Sequence, residues 1–462
     1  MTTPGSLLAS PKRLIALGTS VLAVILAWYP AIEPASAAHA LALGVFGVGL
    51  WATGALPEYV TALAFFLLAM LFKVAPADVV FSGFHSTAFW LVLGGLVAGV
   101  AVKRTGLGER IARHLAGSFG TSYPGIIAGL VSVGVALAFL MPSSMGRVVL
   151  MIPIAMALAD HFGFGEGRPG RTGIILAAVL GCHMPTFTIL PANVPNLVLL
   201  GAAETLQGVT LMYGRYLLLH FPVLGFLKAV LIVLVIVRMF PDKPSPRADA
   251  TGPGAMSKDE GRLALLLALA LAFWVTDFLH HISPAWVMLA TALVCLLPAV
   301  GLVPTAAFNQ QLNFGSLLYV AGIMGLGAVV AHSGLGEVLG GVLLRLFPLE
   351  PGAAVHNFFS LAAMSSLTGL ATTLPGTPAV MTPLADEMAR AAGLPVETVL
   401  MTQVLGFSTM LLPYQSAPLI VGMQLGNIPM AAAARITLIL ALLTVLFLLP
   451  LDFLWWRLLG WI

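Results

Sequence analysis

The chain has 462 residues, of which 59% are hydrophobic and 8% charged, with a net charge of +3 and a mean hydropathy of +1.02. A water-soluble domain carries about 25% charged residues, so this composition excludes a soluble enzyme or a nucleic-acid-binding surface. It reads as an all-α polytopic membrane protein, and not as a β-barrel, because alternating patterning is absent and the apolar runs are too long for barrel strands.

Lys12 and Arg13 precede an apolar run from Leu14 to Tyr29, followed by Ala35-Ser36-Ala37-Ala38. That outline also fits a cleavable signal peptide. Another apolar run follows at once, so the first is read as a retained crossing. Eleven stretches read as crossings: 14–31, 39–56, 59–73, 87–102, 173–190, 213–237, 263–279, 284–302, 316–331, 398–412 and 433–456. Two longer ones, about 124–158 and 353–385, are interrupted midway by polar, Gly and Pro residues. These read as re-entrant hairpins, because non-helical backbone at membrane depth is tolerated only inside protein or beside water. Cys182 and Cys295 lie inside apolar runs and read as packing residues.

The division expected is an N-terminal segment with the first helix (1–36), a first repeat (37–239), a cytoplasmic linker (240–261) and a second, inverted repeat (262–462). With the N-terminus in the cytoplasm of an inner-membrane protein, fourteen Lys and Arg fall inside and five outside, as the positive-inside rule requires. The C-terminus is then outside. Arg147 and Lys228 fall within the membrane.

The two halves match each other. Trp51-Ala52-Thr53 pairs with Trp274-Val275-Thr276, and Thr105-Gly106-Leu107-Gly108-Glu109 with Ser333-Gly334-Leu335-Gly336-Glu337. Ser143 to Ala155 pairs with Thr373 to Ala385, and Ile189-Leu190-Pro191 with Leu411-Leu412-Pro413. Each unit holds five crossings and one hairpin. Five is odd, so the second unit lies upside down, an arrangement typical of alternating-access carriers.

These residues resemble the divalent anion/sodium symporter family. Leu50-Trp51-Ala52-Thr53-Gly54-Ala55-Leu56-Pro57 is similar to its Trp-x-Thr-Glu-Ala-x-Pro element, with Gly54 where Glu is common. Phe81-Ser82-Gly83-Phe84, Leu93-Gly94-Gly95 and Thr105 to Ala112 resemble the stretch that follows. The resemblance implies a secondary transporter, working as a homodimer in lipid, for dicarboxylates, citrate or sulfate. It implies substrate contacts at the hairpin tips: Ser143, Ser144 and Arg147 in the first, Thr373, Gly376 and Thr377 in the second. It adds Asn193, Asn196, Gln415 and Ser416 from the Pro-rich breaks 191–196 and 413–418. It places a sodium ion near Ser143, Ser144, Gly146 and Thr373. The family's tip motif, Ser-Asn-Thr, stands here as Ser143-Ser144-Met145 and Thr373-Leu374-Pro375. Both asparagines are gone and Phe139 offers no oxygen, so weak sodium dependence is expected, with sodium or a proton as the coupling ion.

A charge at the depth of Arg147 is costly unless it faces protein or water. It reads as a guanidinium that binds an anionic substrate or stands where a sodium ion would sit, with a clamp on hairpin carbonyls as the alternative. Lys228 reads as an interior polar contact, His183 and His220 as satisfied packing residues, Asp386, Glu387 and Arg390 as a solvated loop. Trp455, Trp456 and Trp461 read as an interfacial belt. No Walker A loop, zinc-protease motif or nucleophile elbow is present, so an enzyme is not expected. An uncoupled anion channel is the other reading.

Overall fold

The computed structural model describes residues 11–28, 35–53, 55–108, 110, 122–141, 143–245 and 255–462. Glu109, Arg113 and the middle of the linker lie outside them, as do parts of the N-terminal segment. Among the described residues every regular element is a helix. The first half runs α1 (Pro11–Trp28), α2 (Ala35–Thr53), α3 (Glu58–Leu71), α4 (Thr87–Thr105), α5 (Tyr123–Ala138), α6 (Ser144–His161), α7 (Pro169–Gly181), α8 (Val194–Gln207) and α9 (Tyr213–Met239). The second runs α10 (Lys258–Val275), α11 (Pro284–Leu296), α12 (Phe314–His332), α13 (Leu335–Leu346), α14 (Ala354–Ala371), α15 (Gly376–Met381), α16 (Ala385–Ala392), α17 (Val396–Phe407), α18 (Ala417–Leu425) and α19 (Ala431–Leu458). Single helical turns lie between some of these.

Each of the eleven apolar stretches is occupied by a helix. Four helices, α6, α9, α12 and α19, are long and apolar enough to cross a bilayer by length and composition. Local chemistry sets several ends. Ser86, Ser122 and Ser143 cap α4, α5 and α6 by accepting the N–H of Phe89, Gly125 and Gly146. Gly106 and Gly334 take left-handed φ of 81° and 80°, a conformation that only glycine adopts freely. They occupy matching places in the Thr/Ser-Gly-Leu-Gly-Glu pair.

The halves embrace reciprocally. α3 packs on α12 while its counterpart α11 packs on α4; α8 packs on α15 while α18 packs on α6. Within each half the helix before the break lies along the first arm of the hairpin, α7 on α5 and α17 on α14. Trp51 meets Tyr319 of the other half edge-on at 5.6 Å, and Trp274 stacks on Tyr213 at the same separation.

Both of the longest helices carry a π segment, Phe221–Leu227 in α9 and Thr444–Leu448 in α19. Pro222 and Pro450 are the cause, since a proline ring clashes with the carbonyl four residues back and a widened turn relieves it. The Leu218 carbonyl, four residues before Pro222, accepts instead the indole N–H of Trp455 at 3.0 Å.

The linker is stapled at one end of the molecule. Arg168 pairs with Asp242, which also accepts the Gly170 N–H at 3.0 Å. Burial pushes the Asp242 carboxyl up, but its bonds to Arg168 and to the N–H groups of Lys243 and Gly170 outweigh that and hold it below the usual range. Arg110 grips Glu260 at 2.8 and 3.1 Å. That bond, with the Ser257 capping contact, holds Glu260 down to about 2.

Two local expectations change. Asp386 and Arg390 are exposed, yet they belong to a helix, α16, closed by Gly393 with φ of 66°. Trp456 is fully buried against Phe358 and His220, not part of a surface belt.

Candidate functional site

The site is built from two hairpin tips and two helix breaks. The first tip is the turn between α5 and α6. The second lies between α14 and α15, where the returning arm is short: Pro383 forces a 3-10 turn at Thr382–Leu384 and the chain resumes as α16. In the first half α7 stops at Gly181 and two 3-10 turns, Pro185–Thr188 and Leu190–Ala192, precede α8. In the second, α17 stops at Phe407 and one 3-10 turn, Pro413–Gln415, precedes α18. Prolines that cannot donate free the backbone groups there, and four helices, α6, α8, α15 and α18, begin at these tips and breaks.

Arg147 is fully buried and all five of its N–H groups are engaged. Nε donates to the Cys182 carbonyl at 3.2 Å. Nη1 donates to the carbonyls of Met141 and of Ala192, the latter at 3.1 Å. Nη2 donates to the Cys182 carbonyl and the Thr186 hydroxyl, each at 3.0 Å. One side chain thus holds the first tip, the end of α7 and the whole first break. The bidentate grip on an anion expected of Arg147 needs donors that this conformation has already committed.

His183, in the first break, joins it to the first tip and the second break. Its Nδ1 lies 2.7 Å from Ser144 Oγ in the first tip, and its Nε2 lies 2.6 Å from Ser416 Oγ in the second break. A neutral imidazole offers one donor and one acceptor, so one serine donates to the ring and the other accepts from it. The second tip is tied to its own break by the Leu374 N–H donating to the Gln415 carbonyl at 3.2 Å. Gln415 Oε1 in turn accepts the N–H groups of Leu411 and Leu412, both at 2.8 Å.

Asn193 Nδ2 donates to Thr186 Oγ1 at 2.9 Å and Asn196 Nδ2 to the Ile189 carbonyl at 2.8 Å. Their Oδ1 atoms, and Thr377 Oγ1, are buried without a hydrogen-bond partner. Such atoms carry a desolvation cost that a ligand can recover. Ser143 Oγ is committed to the Gly146 N–H at 3.1 Å, and Thr373 is bonded to Tyr319. No cluster of three His, Cys, Asp or Glu that would hold a metal occurs among the described residues. The neutral oxygens of Asn193, Asn196 and Thr377 suit a monovalent cation or a substrate hydroxyl better.

Every sequence-predicted site residue therefore lies at a tip or a break, and His183, Ser144 and Ser416 are in direct contact. The first break starts nine residues before Pro191, at Cys182, and so contains His183 and Thr186, which the sequence reading left out of the site. Pro185 was the available signal. A cavity of about 640 Å³ lies elsewhere, between α5 and α9, lined by Phe139, Phe221, Phe226 and aliphatic side chains with Ser132 as its one hydroxyl; it offers a dianion no charged partner.

The family profile described as "Sodium:sulfate symporter transmembrane region" matches residues 10–462. A "Membrane protein" of Cupriavidus necator is 25% identical, over 91% of this chain and 88% of its own length. The "Sodium-dependent dicarboxylate transporter SdcS" of Staphylococcus saprophyticus is 22% identical over 67% of this chain and 66% of its own. The "L-tartrate/succinate antiporter" of Escherichia coli K12 is 24% identical over 81% of this chain and 79% of its own. In three dimensions the chain resembles the Alcanivorax borkumensis YdaH transporter, with a TM-score of 0.59 at 17% identity, over 85% of this chain and 89% of that one.

Proposed function

Since the chain belongs to the sodium:sulfate symporter family and is thereby a multi-pass membrane transporter and not an enzyme, we propose that it moves small divalent anions of the dicarboxylate or sulfate class by alternating access. The observation that carries this reading is the joining of the N-termini of α6, α8 and α18 by Arg147 and His183 beside buried, unpartnered oxygens. Helix N-termini and a buried guanidinium attract negative charge. In this reading Arg147 acts by its charge from behind the carbonyls that it clamps. Ser143, Ser144, Thr373, Gly376 and Thr377 at the tips, with Asn193, Asn196, Gln415 and Ser416 at the breaks, line the path of the anion.

The finer topology belongs to the same proposal: eleven crossings, two re-entrant hairpins, an inverted repeat, a homodimer, and a cytoplasmic N-terminus with the C-terminus outside. The reciprocal packing of α8 on α15 and α18 on α6 supports the inverted repeat. The relatives' names span both sodium dependence and exchange. Here the oxygens near the first tip are committed, so uptake is expected to change little with sodium at constant ionic strength. A steep rise would assign sodium to Asn193 and Asn196. The substrate class is tested by thermal shift with succinate, malate, tartrate, citrate, sulfate and neutral solutes. Stabilisation by the dianions is the expected result; stabilisation by neutral or cationic solutes alone would refute it.

A further inference from the structure

Behind the two breaks lies a second polar cluster that the substrate path does not use. Lys228 in α9, His220 at the start of its π segment and Asp452 in α19 are each 0% exposed. Lys228 Nζ makes one hydrogen bond, to the Ser408 carbonyl at 2.7 Å. Lys228 and Asp452 lie within electrostatic reach of each other, and Asp452 also faces the Trp456 indole. Neither oxygen of Asp452, neither ring nitrogen of His220 and not the Thr444 hydroxyl makes a hydrogen bond of normal geometry.

Arg147 shows the contrast. A buried cation that serves only as a clamp has every donor engaged, as Arg147 does. Lys228 has three donors and uses one. An under-satisfied titratable cluster in a low-dielectric interior is costly to keep, and buried lysine, unlike arginine, gives up its proton readily.

The cluster is also bonded to both moving parts. Lys228 holds the carbonyl of Ser408, the residue after α17, where the second break opens. His220 meets Tyr216 edge-on at 4.6 Å, and the Tyr216 hydroxyl donates to the Phe187 carbonyl of the first break at 2.8 Å. Charge on Lys228 therefore acts on the backbone of one break directly and reaches the other through Asp452, Trp456, His220 and Tyr216.

We propose that Lys228 is the proton-carrying residue of this transporter. In the cycle, Lys228 Nζ takes a proton from water on the side to which the protein is open, forming an N–H bond, and releases it to water on the other side. The ammonium holds Ser408 by a charge-assisted bond; the amine keeps only a weaker, neutral one. Asp452 and His220 are positioning residues for that proton. The titratable and charged groups that face the cluster are Tyr216 and, one turn beyond Phe187, His183, whose two nitrogens are already bonded to serines. The others on the packed elements stand at helix ends: Arg215 pairs with Glu397 at 3.3 Å, and Arg238, His356, Arg435 and Arg457 are exposed. This inference rests on the transport reading above, and its test separates the two.

The test uses the full chain in liposomes with equal sodium on both sides. Wild-type protein, given succinate and a one-unit pH gradient, acid outside, accumulates it up to about tenfold per proton carried, since about 1.4 kcal/mol is a factor of ten. Lys228→Met and Lys228→Arg retain succinate counterflow but lose the accumulation, the arginine because it cannot release its proton. Asp452→Asn and His220→Gln keep accumulation and shift the pH at which it is half-maximal. Accumulation that persists in both Lys228 variants, or a wild type driven by sodium and indifferent to pH, overturns the proposal. Absence of counterflow in wild type refutes succinate as substrate and leaves a second, substrate-free readout to decide. The melting temperature of wild type between pH 5 and 9 shows a step that Lys228→Arg removes and Asp452→Asn moves. Identical profiles in all three overturn the proposal.

Discussion

His183 Nε2 and Ser416 Oγ lie 2.6 Å apart, a hydrogen bond between residues 233 positions apart that fastens one broken helix to the other. The same ring holds Ser144, so the imidazole is the point where the first hairpin, the first break and the second break meet. Removing it by His183→Ala leaves the buried Ser144 hydroxyl unpaired, at about 1–3 kcal/mol, and Ser416 Oγ with only the Leu419 N–H. The variant is expected to melt well below Ser144→Ala and Ser416→Ala, each of which strands one partner. Equal melting temperatures for the three would show that the bond does not matter to stability.

Arg147→Lys keeps the charge but replaces five forked donors with three. At least one of the four oxygens now clamped loses its partner, and stability is expected to fall by about 1–3 kcal/mol, the cost of a buried polar group left unpaired. Dianion affinity of the folded fraction should survive this change and be lost in Arg147→Thr. Calorimetric titration with succinate on protein sorted by size-exclusion separates the two effects. If Arg147→Thr is stable and binds with wild-type affinity, Arg147 has no part in anion attraction.

Thr377 is the counterpart of Arg147 in the second half, and its hydroxyl is buried without a partner. Thr377→Val removes an unsatisfied polar atom at nearly constant shape, so stability is expected to be unchanged or up to about 1 kcal/mol higher. Succinate binding should weaken at the same time. A variant that binds succinate as wild type does would take Thr377 out of the site.

Glu260 gives the acid side of the stability profile. Its folded carboxyl is held down to about 2 from an ordinary 4.5, so its contribution is complete above 4.5 and is lost as pH falls toward 2. Glu260→Gln is expected to lower the melting temperature at pH 6 and to make no difference near pH 2. A deficit that is the same at both pH values would mean that the Arg110 pair is not what Glu260 contributes.

Much of this was legible in the sequence because composition and period carry it. Each of the eleven apolar runs holds a helix, and Gly106 and Gly334 in matched motifs share one left-handed conformation. The Pro-rich breaks were visible because proline acts locally. What acts through space was not. His183 read as packing because its serine partners are 39 and 233 positions away. The role of Arg147 could not be chosen from its depth alone: the same buried cation serves as a clamp or a ligand according to which carbonyls surround it. The π segments escaped notice because their prolines, Pro222 and Pro450, sit in otherwise unbroken apolar runs.

The reciprocal embrace of the two halves has a cost in time. α8 and α6 find their partners in α15 and α18, which are synthesised much later. At about 5–20 residues per second, the roughly 170 residues between the end of α8 and the start of α15 take on the order of 10–30 s to emerge. For that interval the newborn first half holds Arg147, Asn193 and Asn196 beside an uncovered flank within the bilayer. Arg147 is satisfied wholly by first-half oxygens, so its donors are engaged before the ribosome has finished, whereas Lys228 waits for Ser408 and Asp452 of the second half.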